Sequence, residues 1–520
     1  IDSTNQVTVG VAITKNRSDN FNNRFGYQSE DDIVVNRINN FYSSVSKQFS
    51  FIQNCEWMHR LKKRGSFLVA SLGIEQRSSS GDGWQIDTSM KTTYQINNIK
   101  DSEGSGNLVR TAFNYGIPLW TGTFNLMYEL SFENGINRSE SINRLTYEVD
   151  TINTFDYGLK NLVNKLSFNY AFKIKKHTGS LRMAVNSTRN YRDEQFPGSY
   201  IFSKQFYGGD LSSNFKTEIN KRNFLDIIYT IITTYPSLEN LRGVVNNSNP
   251  LILTAGNPNL FPTNRHNLQL SYSFFSERGN SLILNVSGYN SVNAVSVKKF
   301  YFNEDTYIAK YNYTFRKGST LNTRVNTQGS YQSTVNLKYS HNLSALKAMT
   351  IITLKYNFTQ NPFYNDQKLV FQRNNSYTLT ANIMSNLSRQ FSYTLYFESK
   401  KGYISNNTLN KTSFFNQTVY LDVRAIILKR ISFANDCNYN YYIKPSLPNS
   451  KINSFVWNFS VGYKLKKEKG EISFIAKDIL NNANKLVITE KEDYIQSTYN
   501  NDIIKQIFML SFTYNLNTRK

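Results

Sequence analysis

The sequence lacks any apolar run long enough to form a membrane-spanning helix. Apolar patches such as residues 67–70 and 425–428 are short, whereas a helix needs about 20 mostly apolar residues to cross the hydrocarbon core. A helical membrane protein is therefore excluded. If the chain spans lipid, it does so as a closed β-barrel, because such a barrel pairs every backbone group between strands.

Proline, linkers and charged tails are also scarce. The 520 residues contain 9 prolines, and no stretch rich in proline and serine marks a boundary between domains. A soluble chain of this length would be expected to divide into domains of roughly 150 residues. We instead expect residues 1–520 to form one barrel domain that contains no plug domain, with residues 1–105 the hardest part to divide into strands.

The residues that usually carry chemistry are few and scattered. The 2 cysteines are Cys55 and Cys437; they favour two separate thiols, although a disulfide between them stays open. The 4 histidines do not have the HExxH spacing that holds zinc on a helix. No nucleophile is paired with a base in a recognisable motif, so we expect no enzyme, no cofactor and no bound metal.

Aromatic residues, by contrast, are abundant for so polar a chain. They make up 14% of the residues, with 35 Tyr and 36 Phe, while the mean hydropathy is −0.48. Each large aromatic side chain covers about 150–250 Å² and needs apolar surroundings. A lipid-facing surface with aromatic belts provides such surroundings, while the many Asn, Ser and Thr residues face a wet lumen.

The decisive pattern is alternation with a period of two residues. In residues 507–516 every second side chain is large and apolar, and most side chains between them are small or polar. Similar runs are residues 124–132, 165–174, 377–384, 391–398 and 455–465. Successive side chains of a strand point to opposite faces. The run lengths suit the about 9–11 residues of a tilted membrane strand and exceed the about 5–6 residues of a soluble sandwich strand.

The connections between these runs are of two kinds. Short polar turns are predicted at residues 175–180, 386–390, 428–431 and 466–470, and longer loops at residues 77–89, 134–154 and 398–411. This asymmetry is typical of outer-membrane barrels, whose periplasmic turns are short and whose extracellular loops are long. We predict an all-β, large antiparallel transmembrane β-barrel of roughly 18–22 strands in the bacterial outer membrane.

One stretch departs from simple hairpins. Residues 235–275 hold four of the nine prolines and lie between the predicted strands 225–232 and 268–274. We expect a long loop with rigid turns, packed near one rim of the barrel. Within it, residues 256–262 read GNPNLFP.

This segment resembles a GNPxLxPE-like signature of TonB-dependent outer-membrane receptors. The matching residues are Gly256, Asn257, Pro258 and Leu260, while Thr263 stands where the family usually has Glu. The resemblance extends upstream to an arginine and an N-P-L element common among Bacteroidetes members. Those positions are Arg242, Asn249 and Pro250.

A second resemblance lies near the end of the chain. Residues 476–481, which include Asp478 and Asn481, are similar to a V-x-D-L-F-N element on a late barrel strand. Residues 508–516 resemble the family's terminal strand. Together these segments cover about the last 300 residues and point to the Bacteroidetes outer-membrane barrels that resemble TonB-dependent receptors.

The resemblance implies a barrel of about 22 strands that imports a bulky or scarce nutrient with energy passed from the inner membrane. It also implies an N-terminal plug and a TonB-contacting segment, which are not evident from Ile1 onward. We expect that they precede Ile1 or that the barrel works without them. The alternative function is a structural or scaffold barrel in a larger outer-membrane assembly, such as a secretion or surface-lipoprotein complex; a passive porin ranks third.

The net charge indicates which molecules the chain contacts, and the polar strand faces indicate which residues line the lumen. The net charge is +23, but the cations are scattered, which favours outer-membrane lipids, lipopolysaccharide or an acidic partner over nucleic acid. TonB and a surface lipoprotein are the expected protein partners. A Lys or Arg that faces mid-bilayer lipid costs about 2–4 kcal/mol, so the polar faces should line the lumen. The residues predicted to face it are Asn125, Glu129, Lys165, Asn169, Thr394, Glu398, Asn458 and Lys464.

Overall fold

The alternating runs form long antiparallel strands in a computed structural model of the chain. The structure describes residues 4–30, 33–89, 95–150, 154–196, 199–243, 245–246, 252–365, 368–388, 390–407, 411–428, 430–444, 451–465, 470–482, 486–490, 495–499 and 506–514. Among these residues, no helix combines the length and the apolar character needed to cross a bilayer.

The described strands follow one another with little helix between them. In chain order they are β1 (Asn5–Glu30), β2 (Ile33–Arg60), β3 (Phe67–Ser89), β4 (Gln95–Leu119), β5 (Gly122–Asn143), β6 (Phe155–Ile174), β7 (His177–Phe196), β8 (Tyr200–Asn220), β9 (Asn223–Thr234), β10 (Val245–Asn246), β11 (Ile252–Ala255), β12 (Thr263–Phe275), β13 (Ser281–Val292), β14 (Ala294–Tyr301), β15 (Thr306–Ile308), β16 (Tyr313–Phe315), β17 (Thr320–Thr327), β18 (Ser330–Leu343), β19 (Ala348–Asn365), β20 (Lys368–Ser388), β21 (Phe391–Ser405), β22 (Thr412–Ile427), β23 (Ile431–Ile443), β24 (Ile452–Lys464), β25 (Gly470–Lys477), β26 (Leu486–Glu490), β27 (Ile495–Tyr499) and β28 (Ile507–Tyr514). The helices are α1 (Leu238–Leu241) and two 3-10 turns, Ala309–Tyr311 and Ser344–Leu346.

Twenty of the described strands form the barrel wall. They are β1–β9, β12, β13, β18–β25 and β28, and each pairs with the next in antiparallel register. The predicted fold class, an all-β antiparallel barrel, is therefore confirmed, and the wall has a strand number inside the predicted range. The strands predicted at 225–232 and 268–274 are part of β9 and β12.

The wall has two different ends. At one end, the turn end, connections are as short as the two residues between Ile174 and His177. Four of the turns at this end contain a non-glycine residue in the left-handed region, Trp120, Lys175, Lys347 or Leu428, a conformation that tight hairpins require. The other end, the loop end, carries the long connections between β9 and β12 and between β13 and β18. By the asymmetry of such barrels, the turn end faces the periplasm and the loop end faces outside.

The three predicted loops are wrong in whole or in part, because strands occupy residues that were expected to be loop. Residues 77–89 belong to β3, residues 134–143 belong to β5, and residues 398–405 belong to β21. These segments extend the strands beyond the bilayer, where water wets both faces and the apolar–polar alternation disappears. The wall strands consequently reach 28 residues in β2, far more than the about 9–11 that a membrane needs.

The register separates an apolar outer face from a polar inner face. On β5 and β6, Leu126 pairs with Phe168 and Tyr128 with Leu166, and large parts of Tyr128, Leu166 and Phe168 are exposed. Asn125 and Glu129 on β5 and Ser167 on β6 alternate with them in sequence and belong to the opposite face. Cys55 and Cys437 are both free thiols, which agrees with the interpretation of two separate cysteines.

Candidate functional site

The long connections at the loop end do not remain as open loops. The described parts of residues 235–262 and 293–329 form one ordered layer, which we call the shelf. In it β10 pairs with β11, β11 with β17 in parallel, and β17 with β14. The other edge of β14 pairs in parallel with the end of the wall strand β19. The shelf is therefore hydrogen-bonded to the wall.

The shelf covers the inner face of β7. Along this strand every second residue from Ala184 to Glu194 is buried. Val185, on the opposite face, is 64% exposed and pairs with Leu166 on the apolar outer face. The buried side chains therefore point inward. Because this inward face is shielded from solvent, the shelf lies within the barrel mouth rather than above it.

A buried ion network pins the shelf to β7. Glu194 is 1% exposed and Arg192 is 3% exposed, and the Arg192 Nε atom lies 3.2 Å from Glu194 Oε2. Arg242, from the shelf, donates to both carboxylate oxygens of Glu194. Arg192 also donates to Glu239 Oε1 at 3.1 Å, and its guanidinium stacks 3.5 Å from the ring centroid of Tyr157. One carboxylate thus joins a wall arginine and a shelf arginine, which compensates charges that burial would otherwise penalise.

The GNPNLFP segment runs directly beside Arg242. The Gly256 nitrogen donates to Arg242 O at 2.8 Å, and the Asn257 nitrogen donates to Asn240 O at 2.6 Å. The Asn257 side chain spans to β17 by donating to Arg324 O at 3.0 Å. The motif residues Arg242, Gly256 and Asn257 are therefore brought together by backbone and side-chain hydrogen bonds.

Pro258 and Leu260 complete the contact with the wall on β8. The Lys204 ammonium donates to Pro258 O at 2.5 Å and to Leu260 O at 2.9 Å. Burial lowers the pKa of Lys204 from its ordinary value, because desolvation disfavours the charged form. The Leu260 side chain is 0% exposed and packs with Phe206 and Leu241. The segment is thus held by an ammonium from one side and by an apolar pocket from the other.

One asparagine, Asn326, holds the end of the GNPNLFP segment at Phe261. Asn326 accepts a hydrogen bond from the Phe261 nitrogen at 2.8 Å and donates to Phe261 O at 3.0 Å and to Asn293 O at 2.8 Å. Asn293 has a positive φ of 56° and joins β13 to β14. The hydrogen bonds of Asn326 fix the bend by which the β13–β18 hairpin turns inward to become the shelf.

Gly256 allows a close approach that no other residue permits. A Cβ added there would clash with the carbonyl oxygen of Arg242 and lie 2.7 Å from Arg242 N and Asn240 O, all backbone atoms that cannot swing away. We expect Gly256→Ala to lower the opening free energy of the shelf by about 1–3 kcal/mol, measured by hydrogen exchange of its amides. Gly243→Ala is the matched control, since nothing lies within 4 Å of its added Cβ, and an equal effect of both variants would contradict the close-approach argument.

Four of the residues predicted to face the lumen lie on one face of β5 and β6. Asn125 pairs with Asn169, and Glu129 with Lys165, across β5 and β6. The Lys165 ammonium lies 2.9 Å from Asp210 Oδ2 on β8. Asp210 in turn accepts from the Asn186 side chain at 3.3 Å. Tyr235 at the start of the shelf donates to Asn186 as well, so this chain of contacts connects the membrane-level wall with the shelf.

Two of these polar residues, Glu129 and Lys165, line a cavity on the inner wall. It has a volume of about 560 Å³. Glu56, Arg110, Glu129 and Lys165 provide its charged groups, with alternating signs along β2 to β6. Such a mixed surface is well hydrated and can exchange hydrogen bonds with a polar solute.

The remaining predicted residues lie elsewhere on the wall. Thr394 and Glu398 are on β21, where Tyr396 donates to Glu398 Oε2 at 2.6 Å, and Lys464 pairs with Glu471 near the turn end. Asn458 donates to Asp436 Oδ1 at 2.7 Å. These four are not brought next to the shelf by any contact among the described residues.

The second motif forms a turn that contacts this wall. Asp478 is 5% exposed with a positive φ of 46°, and its nitrogen donates to Asn458 Oδ1 at 2.8 Å. The Asn481 nitrogen donates to Asp478 O at 2.8 Å. The motif therefore ends β25 and ties the turn to β24. Asn249 and Pro250 lie outside the described residues.

Sequence patterns did not reveal the residues that hold the shelf in place. They are Tyr157, Arg192, Glu194 and Lys204 on the wall strands β6, β7 and β8, together with Asn326 on the shelf strand β17. The one local signal was the pair Arg192 and Glu194 at alternate positions of a polar strand, which places opposite charges on one face. Their partner Arg242 lies 48 residues from Glu194 in sequence, so the pairing could not be inferred from spacing.

Three comparisons place the chain among known proteins. The model of the family described as "Outer membrane protein beta-barrel family" matches residues 59–514. No curated protein matches the chain.

Solved receptor structures show a weak likeness to the chain. The siderophore receptor PirA of Acinetobacter baumannii has 8% identity, covers 99% of this chain and 81% of its own, and gives a TM-score of 0.35. PirA of Pseudomonas aeruginosa has 9% identity, covers 99% and 81%, and also gives 0.35. The ferric preacinetobactin receptor BauA of A. baumannii has 7% identity, covers 86% and 77%, and gives 0.39. Sequence identities and TM-scores this low do not identify a ligand for the present chain.

Proposed function

The chain belongs to the outer membrane protein beta-barrel family, and from that premise we propose that it is the barrel of a TonB-dependent receptor-like importer of a nutrient. It is a protein of the bacterial outer membrane. We propose that residues 1–520 form the barrel domain and that gating requires a plug and a contact with TonB. On the resemblance of Arg242 and the neighbouring N-P-L element, we propose the Bacteroidetes type of such receptors.

The shelf is the observation that carries the proposal. A passive porin keeps a water-filled channel through the lumen, whereas here a packed layer occupies part of the mouth. Its attachment uses a nearly fully buried carboxylate between two arginines. A group of this kind is costly to bury without partners, so the attachment supports a fixed structure at the mouth. A fixed structure there suits a receptor that selects its solute before transport.

The inner wall below the shelf supports a path for a polar solute. Glu129 and Lys165, with Asn125 and Asn169 in the same register, present hydrogen-bonding groups to the lumen. We propose that Thr394, Glu398, Asn458 and Lys464 line the other side of this path. The proposal contains no chemical step, because the solute passes unchanged.

Growth of a deletion strain tests the importer directly. The gene for the full-length protein is deleted, and growth is measured on defined media that are each limited in one class of nutrient: a siderophore-bound iron, a vitamin, a glycan or a peptide. We expect a defect on one medium, restored by the wild-type gene only when the inner-membrane TonB system is present. Restoration without TonB would instead indicate passive diffusion and contradict the proposal.

The scaffold alternative predicts a different result. A structural barrel of a secretion or surface-lipoprotein complex would show no growth defect on any of these media, and stable partners would co-purify with it. The resemblance of residues 256–262 to the receptor signature favours the importer over this alternative. No feature of the described residues favours the scaffold independently.

A further inference from the structure

The outer face of the wall carries a groove across β18, β19, β20 and β21. It has a volume of about 480 Å³. Its outward-facing lining, which we call the outer groove, consists of Val335, Leu337, Leu354, Tyr356, Tyr377, Leu379, Ser399 and Lys401. This groove lies on the surface opposite to the lumen and is separate from the shelf and from the proposed path.

The strand register arranges these residues as two rows. The lower row, toward the turn end, is Leu337, Leu354, Leu379 and Ser399, which pair in succession. The upper row is Val335, Tyr356, Tyr377 and Lys401, which also pair in succession. The groove is therefore apolar at its base, aromatic above and cationic at its upper edge.

The upper row lies at the height of the outer membrane interface. Ten residues separate Phe391, at the turn end of β21, from Lys401. At about 3.4 Å per residue and a strand tilt of about 40°, this distance spans about 26 Å along the membrane normal. The apolar band of such barrels is about 25 Å tall. Lys401 is thus placed where the acyl region of the outer leaflet meets its headgroups.

Two lysines share one tyrosine ring at this edge. The Lys411 ammonium lies 4.1 Å from the ring centroid of Tyr403, and the Lys401 ammonium lies 5.6 Å from it. Arg373 on β20 pairs with Ser405, which lies two residues nearer the loop end than Tyr403 and on the same face. Arg373 is also exposed. Pairing with one ring holds the two ammonium groups near each other, which creates a local concentration of positive charge.

Among the described residues of β18–β24, no carboxylate on the outer face balances this charge. Residues 330–464 contain four carboxylates, and Asp366 lies outside the described residues. The other three, Glu398, Asp422 and Asp436, are on the inner face, because Asp422 pairs directly with Thr394 and with Asp436. The outer edge is therefore cationic, and its complement is an anion.

We propose that the outer groove and the lysine pair bind a phosphorylated, acylated glycolipid of the outer leaflet. An acyl chain lies along Leu337, Leu354 and Leu379, and a headgroup phosphate lies between Lys401 and Lys411. A free anion would use the lysines alone and leave the apolar floor exposed, whereas a neutral lipid would leave the lysines without a complement. This assignment is independent of the transported solute.

Binding of lipid A to the purified full-length protein tests the proposal. Diphosphoryl lipid A is added to the protein in detergent, and the bound lipid is counted by native mass spectrometry. We expect the double variant Lys401→Gln/Lys411→Gln to bind about 10–30-fold more weakly, because each lysine near an anionic headgroup contributes to affinity. The control Lys310→Gln/Lys317→Gln removes the same charge from exposed sites on the shelf and should leave binding unchanged.

Two further arms separate the parts of the ligand. Dephosphorylated lipid A should bind wild type as weakly as diphosphoryl lipid A binds the double variant, and Leu354→Trp, which fills the groove while keeping both lysines, should also weaken binding. Inorganic phosphate alone should not displace the lipid. Equal binding by the wild type and the double variant would overturn the proposal, and so would binding unaffected by Leu354→Trp. Heat-dependent migration on gels verifies that each variant is folded. If the double variant does not fold, the single variant Lys401→Gln replaces it and should also bind diphosphoryl lipid A more weakly than wild type.

Discussion

Replacing Glu194 with alanine is expected to release the shelf from the wall, lowering the free energy of opening of the shelf by about 3–5 kcal/mol. The change leaves Arg192, which is 3% exposed, with the mostly exposed carboxylate of Glu239 as its remaining partner. It also removes both hydrogen bonds from Arg242. A buried cation whose one remaining carboxylate partner is largely exposed costs more than the lost contact alone, and the lowest-energy response is for the shelf to open and admit water.

Native-state hydrogen exchange measures this effect locally, because exchange reports the opening of cooperative segments as well as global unfolding. Amides of β11, β14 and β17 should exchange faster, while those of β18 to β24 should be unchanged. The matched control is Asp156→Ala, which removes the carboxylate from an ion pair whose arginine, Arg138, is 66% exposed. Solvent screens that exposed pair, so its loss should leave the opening of the shelf nearly unchanged. Similar effects from both variants would show that Glu194 does not pin the shelf.

The second large effect is expected from Phe315→Ala. This change should lower the free energy of opening of the part of the shelf that contains β15 and β16 by about 3–5 kcal/mol. Phe315 is 0% exposed. It stacks on Phe302 with ring centroids 4.6 Å apart and meets Tyr313 edge-on at 5.0 Å. The same apolar cluster includes Leu253 and Leu321, so removing the ring leaves a cavity that joins β11, β16 and β17.

Phe261→Ala provides the comparison within the same layer. Its ring is 63% exposed, so truncation should change the opening free energy by no more than about 0.5 kcal/mol, although its backbone remains held by Asn326. Hydrogen exchange of β15 and β16 is again the measurement. Equal protection in Phe315→Ala and in wild type would mean that the cluster does not hold the shelf together.

The wall was predictable because lipid imposes a simple rule on sequence. Where a strand crosses the bilayer, one face must be apolar, so runs such as residues 124–132 and 455–465 identify β5 and β24. Above the bilayer that rule no longer applies. Residues 77–89 are rich in serine, glycine and acidic residues and therefore suggested a loop, yet they continue β3 because the neighbouring strands offer backbone partners along their whole length.

The candidate site was only partly predictable. The proline-rich segment and its GNPNLFP sequence indicated an ordered structure near the rim, and Gly256, Asn257 and Leu260 do form its contacts with the rest of the shelf and with β8. The position inside the mouth depends on Glu194 and Lys204, which contact the shelf from strands far away in sequence. Likewise, the lysine pair at Tyr403 depends on Lys411 returning across a loop, which periodicity cannot reveal.

The importer proposal depends most directly on the shelf lying against the inner face of β8, and cysteine cross-linking in intact outer membranes measures that placement. In a chain with Cys55→Ser and Cys437→Ser, the pair Phe206→Cys/Leu260→Cys should be joined by a short bismaleimide, because both side chains belong to one buried cluster. The pair Tyr207→Cys/Leu260→Cys should not be joined, since Tyr207 is 71% exposed on the opposite face. Cross-linking of neither shelf pair, while the directly paired Leu126→Cys/Phe168→Cys control reacts, would contradict the account.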